Sequence, residues 1–135
     1  MADKYYLDTS IWLDFHEKRG RNGEMAFKLI QCLIENDFKL FYSDLHVREL
    51  KNLGYDYGEV VSIFRIAKPG CILHAHIFRE QAEEAKRLSL QRRIPKKDAL
   101  HAILARDNNL QLISRDRHFE KLKDVALAMK PEEFI

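Results

Sequence analysis

The chain has 135 residues, 46% of them hydrophobic, with two cysteines and a formal charge of +2. That length suits one compact domain over residues 1–135, and the apolar share is enough for a sizeable core. Cys32 and Cys71 match neither a disulfide framework nor a zinc spacing, which leaves them as small buried hydrophobes. No apolar run approaches the roughly 18 residues of a spanning helix, and the opening MADKYYLD lacks the basic and then apolar regions of a secretory leader. The expectation is a soluble, cytoplasmic protein with no membrane partner. The net charge is too slight to argue for nucleic acid, so any electrostatic argument rests on where the charges lie.

Residues 4–8 are apolar and aromatic and suit a strand, and residues 24–36 place Phe27, Ile30, Leu33 and Ile34 at helical spacing. Phe38 to Ser43 reads as a second strand and Asp44 to Asn52 as a helix that Ser43 can cap. Val60, Ile63, Phe64 and Ala67 form the next amphipathic stripe, stopped at Pro69-Gly70 before a strand at Cys71–His76. A long helix follows from about Phe78 to Arg92. Pro95 suits the first turn of another, with Leu100, Ile103 and Leu104 on its core face and Asn108 and Asn109 at its end. Gln111–Ser114 then reads as a strand, Arg117–Lys123 as a short helix and Val125–Met129 as a last strand closed by Pro131. Alternating strands and helices with short connections predict a three-layer α/β/α sandwich around a mostly parallel sheet.

Four carboxylates lie where this chain changes direction or opens a helix: Asp8, Glu49, Asp98 and Asp116. In a parallel sheet the carboxyl ends of the strands meet at one crevice, so residues a hundred positions apart can converge. Crowded carboxylates repel one another, and a hard cation such as Mg²⁺ or Mn²⁺, which takes oxygen ligands, relieves that cost. Each acid also has a structural explanation. Asp8 and Asp116 can be N-caps, and Asp98 in a first helical turn complements the macrodipole. Glu49 is the more telling residue, since helical spacing puts it on the stripe of Leu45 and Leu53, where a carboxylate is costly. Asp14, Asp44, Asp107 and the acids of 80–84 read as solvated helix positions.

The words Leu7-Asp8-Thr9-Ser10, Glu49 within the helix after the second strand, Asp98 in DALHAILA, and Ser114-Arg115-Asp116 after a late strand, in that order, resemble the PIN domain family of metal-dependent ribonucleases. The resemblance covers essentially the whole chain, with Ser114 where many relatives have threonine. It implies a PIN-like fold, RNA as substrate and hydrolysis of phosphodiester bonds by metal-activated water. Asp8, Asp98 and Asp116 would then be the primary ligands of Mg²⁺ or Mn²⁺, and Glu49 would bind a second ion or orient the water. Ser10 and Ser114 would orient the site. A stand-alone chain of this size is most similar to VapC-type toxins, which implies a homodimer and an antitoxin partner. A housekeeping RNA-processing nuclease and a non-catalytic RNA- or protein-binding module are the rival readings.

KRLSLQRRIPKK, just before Asp98, carries six basic residues and no acid. With the cations around Asp116 it offers Arg92, Arg93, Lys96, Lys97, Arg115 and Arg117 as phosphate-binding candidates. Solvated helix faces are the competing explanation for each. Trp12, Phe15 and Tyr42 suit either base stacking or the core, Val60 and Phe64 either the core or a dimer face, and His74 and His76 resemble a metal pair only superficially.

Overall fold

The computed structural model describes residues 3–134. Five strands, β1 (Lys4–Leu7), β2 (Lys39–Ser43), β3 (Ile72–Ala75), β4 (Gln111–Ile113) and β5 (Ala128–Met129), form one sheet in the order β3-β2-β1-β4-β5. Every pairing is parallel, with Tyr6 opposite Phe41 on one side and Leu112 on the other. Seven helices accompany them: α1 (Thr9–Glu17), α2 (Gly20–Glu35), α3 (Asp44–Asn52), α4 (Tyr57–Phe64), α5 (Arg79–Arg92), α6 (Lys96–Asp107) and α7 (Pro131–Phe134), with a 3₁₀ turn at Arg117–Leu122.

Side chains alternate across a strand, so β1 supplies both faces of the sheet. Tyr5 and Leu7 join Ile113, Trp12, Leu29, Ile30, Leu33 and Ile63 in a core beneath α1, α2 and α4. Tyr6 points the other way, with Leu112, Leu88, Ile103, Leu104 and Phe119 beneath α5, α6 and the 3₁₀ turn. Two cores on opposite faces make the expected α/β/α sandwich. Helix α3 contributes to both, Leu45 to one and Leu50 to the other, and so follows directly from the carboxyl end of β2.

The strand order runs outward in both directions from β1, so the chain's crossovers diverge between β1 and β4. Ligands of open parallel sheets settle at such a point, outside the carboxyl ends. The backbone N–H of Asp8 bonds the carbonyl of Ile113 at 3.1 Å, which continues the pairing and fixes Asp8 at that edge.

Several expectations shift. The first long helix begins at Gly20 rather than 24, and its buried stripe is Ala26, Leu29, Ile30 and Leu33, while Phe27 faces outward. Gly23 on that helix sits so close to α1 that an added Cβ would lie 2.8 Å from the carbonyl oxygen of Asp14. Leu53 is exposed beyond the end of α3, so only Leu45 of the anticipated pair flanking Glu49 is buried. Asp14, expected in solvent, is buried beside Arg19. Cys32 and Cys71 are free thiols at half-buried positions rather than in the core. The last strand shortens to two residues because Val125 and Ala126 bond back to the carbonyl of Leu122 in a turn, and Pro131 opens α7 instead of ending the fold. Trp12, Val60 and Phe64 are core residues. His74 pairs with Asp44.

Candidate active site

Asp8 is the N-cap of α1. Its Oδ1 accepts the backbone N–H of Ile11 at 3.2 Å and the hydroxyl of Ser10 at 2.9 Å, while Oδ2 accepts the hydroxyl of Ser114. The cap and the pocket are therefore one arrangement, because the strand end that needs a cap is also the strand end at the crevice. Ser114 ties two of the acids together: its O–H donates to Asp8, while its Oγ accepts the backbone N–H of Asp116 at 3.0 Å.

Asp116 caps the 3₁₀ turn through the N–H of His118 at 2.9 Å. That turn carries the imidazole of His118 back toward α6, where Nδ1 lies 2.8 Å from Asp98 Oδ2 and 3.0 Å from Asp116 Oδ1. One donor atom from each of these three residues lies within 4.8 Å of the other two, a spacing compatible with a shared ion. Asp98 is buried in the first turn of α6, whereas Asp116 and His118 are open to solvent.

Glu49 reaches the site from α3. Its Oε1 accepts the hydroxyl of Thr9 at 3.1 Å and stands 2.7 Å from His101 Nε2, one turn along α6 from Asp98. Hydrogen bonds and ion pairs thus connect all four acids: Glu49 to Asp8 through the Thr9 side chain and backbone, Asp8 to Asp116 through Ser114, and Asp116 to Asp98 through His118.

The charge states differ within this small space. Burial pushes the carboxyl of Asp8 up, against hydrogen bonds from Ser114, Ser10 and Ile11 and the nearby His101 that favour the anion. Burial also raises Asp98, reinforced by the charge of Asp116 and opposed by His118. Burial works in the same direction on Glu49, but the bond and charge of His101, the Thr9 hydroxyl and Lys97 together outweigh it and hold that carboxyl below its usual range. A pocket with two carboxylates made reluctant to ionise, beside acceptor oxygens from three elements, has the donor chemistry that a divalent cation satisfies. The residues present fit such an ion.

The six basic candidates separate. Arg92 forks onto both carboxylate oxygens of Asp124 at 2.7 and 2.8 Å, and Arg115 pairs with Glu132. Both guanidinium groups are engaged within the chain. Arg93, Lys96, Lys97 and Arg117 make no ion pair among the described residues and, of these, Lys97 lies near enough for its charge to act on Glu49. His118, His101 and Tyr6 are not among the candidates the sequence pattern offers. For His101 a signal existed, since it is the one polar side chain in the apolar run Ala99–Ala105, three residues from Asp98.

A family model for the PIN domain matches residues 5–125. The chain belongs to the PIN domain family. No curated protein sequence matches it significantly. Among solved structures it resembles VapBC2 from Rickettsia felis bound to a promoter DNA fragment, with a TM-score of 0.68, 16% identity, and coverage of 94% of this chain and 98% of that one. A toxin-antitoxin complex from Klebsiella pneumoniae superposes with a TM-score of 0.66 at 17% identity, covering 94% and 97%. FitAcB from Neisseria gonorrhoeae follows at 0.61 and 19%, covering 95% and 98%. At these identities the likeness is one of fold. Among the described residues no helix is long and apolar enough to cross a membrane.

Proposed function

We propose that this protein is a metal-dependent endoribonuclease and the toxin of a toxin-antitoxin pair. The observation that carries the reading is the convergence of Asp8, Glu49, Asp98 and Asp116, from four separate segments, into one hydrogen-bonded network at the β1/β4 crevice. Membership of the PIN family and the fold shared with toxin-antitoxin complexes support the biological role.

Asp8, Asp98 and Asp116 would hold Mg²⁺ or Mn²⁺, which supplies an acidified water and neutralises charge on the phosphodiester. Glu49 would bind a second ion or orient the metal-activated water. Ser10 and Ser114 keep both oxygens of Asp8 in place. Lys97, Lys96, Arg93 and Arg117 hold the flanking phosphates as point charges, a contribution that salt weakens. Water adds at phosphorus as the bond to the leaving oxygen breaks, so no side chain becomes covalently attached to RNA.

An antitoxin and a second copy of the chain are the protein partners in this reading. Exposed Phe27 and Tyr57, each beside an apolar groove, are suitable surface for them to cover. The activity is tested with end-labelled single-stranded RNA, with and without Mg²⁺, Mn²⁺ or EDTA, using the parent and Asp8→Asn. Cleavage that needs the metal and the aspartate is expected. Cleavage that persists equally in Asp8→Asn would sink the reading, and RNA binding without cleavage by either protein would favour a binding module.

A further inference from the structure

A histidine buried inside a helix has a cost unless both ring nitrogens are satisfied. His101 is only 2% exposed, and both of its nitrogens are engaged: Nε2 at the carboxylate of Glu49, Nδ1 at the hydroxyl of Tyr6. A carboxylate accepts only, so Nε2 carries the proton and donates it to Glu49. Nδ1 is hydrogen-bonded to the Tyr6 hydroxyl. Tyr6 Oη in turn lies 3.0 Å from Ser43 Oγ, and the backbone N–H of Ser43 donates to His46 Nδ1 at 3.0 Å. The Nε2–H of His46 donates to the carbonyl of Leu7, the residue before Asp8. This line of bonds starts at the last carbonyl of β1, runs through the core face of the sheet and ends at Glu49.

The end of the line is asymmetric. Both donors to Glu49, Thr9 and His101, land on Oε1. Oε2 accepts none of the described hydrogen bonds. A glutamate has three side-chain torsions, and holding them costs rotamer freedom that a free side chain would have to give up on each binding event. We propose that Tyr6 and His101 are positioning residues that clamp Glu49 through Oε1 and leave Oε2 as the atom presented to a divalent cation or to its water. The inference deepens the metal-nuclease reading and rests on it. The clamp belongs to the fold rather than to the pocket surface: Tyr6 is wholly buried between β2 and β4, and its ring packs against those of His46 and His101 at 4.8 and 5.3 Å between centroids. Partners of this kind behind metal ligands typically alter affinity about 10- to 100-fold when removed.

The test measures Mn²⁺ binding by the electron paramagnetic resonance of the free ion, alongside thermal unfolding without metal. The proteins compared are the parent, Tyr6→Phe, His101→Leu and His101→Gln. Glutamine can carry an N–H close to the position of Nε2, while leucine fills the volume with no donor. The expected result is a dissociation constant raised about 10- to 100-fold in His101→Leu, largely restored in His101→Gln, and raised by a smaller factor in Tyr6→Phe. If folded His101→Leu binds Mn²⁺ as tightly as the parent, or if His101→Gln is as weak as His101→Leu at equal thermal stability, the clamp is wrong and the metal-nuclease reading stands. If His101→Leu does not fold, an unchanged constant in folded Tyr6→Phe overturns the clamp equally. Absence of Mn²⁺ binding by the parent itself overturns both.

Discussion

Two imidazole–carboxylate contacts flank the pocket, and they are built in opposite ways. His101 meets Glu49 from inside the core, with both ring nitrogens engaged and almost no surface open to water. His118 meets Asp98 and Asp116 from outside, through Nδ1 alone, with 46% of its side chain exposed. The distances are nearly the same, 2.7 Å against 2.8 and 3.0 Å. Distance therefore does not decide what such a contact is for. A contact fixed at both ends by the fold can orient a group before a ligand arrives, whereas one held at a single end in solvent can yield its place to a ligand at little cost.

The largest expected effect lies on Asp98, the buried carboxylate that His118 touches. Asp98→Asn keeps the shape of the side chain and removes its charge. If Asp98 holds the ion directly, cleavage of a single-stranded RNA at saturating Mg²⁺ should fall more than about 100-fold, beyond the usual range for outer partners of a metal site. A loss no greater than that of His101→Leu would erase the distinction between a group that touches the ion and one that acts through another.

Next in size is a pH effect on the inner side. His46 is buried and neutral: burial first, then its neighbour His101, hold its imidazole well below the ordinary 6.5, against the favourable bond to the Leu7 carbonyl. In the unfolded chain it binds a proton near 6.5, while in the folded chain it does not. Below that pH the unfolded state therefore binds more protons. The stability contributed by neutral His46 is fully present above it and is lost as pH falls, at up to about 1.4 kcal/mol per unit. The raised carboxyls of Asp8 and Asp98 have the opposite sign, since their folded forms hold protons more tightly. They are common to the parent and to His46→Gln, so urea unfolding of both proteins between about pH 7.5 and 5.5 isolates the histidine. The difference in stability should shrink toward acid. A constant difference across that window would show that the buried imidazole is not neutral.

How much of this was legible in the sequence follows the same division between inside and outside. The strand and helix order was readable because short apolar runs alternate with helical stripes, and α3 falls on the anticipated residues 44–52. The convergence of the four acids was readable because a parallel sheet gathers its strand ends, which is a property of topology and not of any one residue. The clamp was not. Tyr6 and His101 are 95 positions apart, and nothing local in YYLD or in DALHAILA says that one ring faces the other. The contact of His118 with Asp98 was not legible either, because the 3₁₀ turn that swings it back depends on the cap formed by Asp116. The ion pairs of Arg92 and Arg115 were hidden for a related reason: their partners, Asp124 and Glu132, come from segments whose placement a charge pattern does not reveal.

The outer contact gives smaller effects. His118→Ala removes an exposed bridge, and a surface pair of this kind contributes at most about 1 kcal/mol. Metal-free melting should therefore change little, by far less than in His101→Leu. A fall as large as that of the buried variant would mean that His118 holds the fold and not merely the site.

The smallest effect separates the basic residues. Arg92 is engaged with Asp124 at the surface, whereas Lys97 has no ion-pair partner among the described residues and acts on Glu49 through space. Lys97→Ala should weaken RNA binding several-fold and reduce the magnitude of the slope of log affinity against log salt by about one unit or less, the signature of one lost phosphate contact. Arg92→Ala should leave that slope unchanged. If the two variants lost affinity equally, the guanidinium of Arg92 would have to leave Asp124 for the RNA, and an ion pair seen in the free protein would be a poor guide to which cations remain available for substrate.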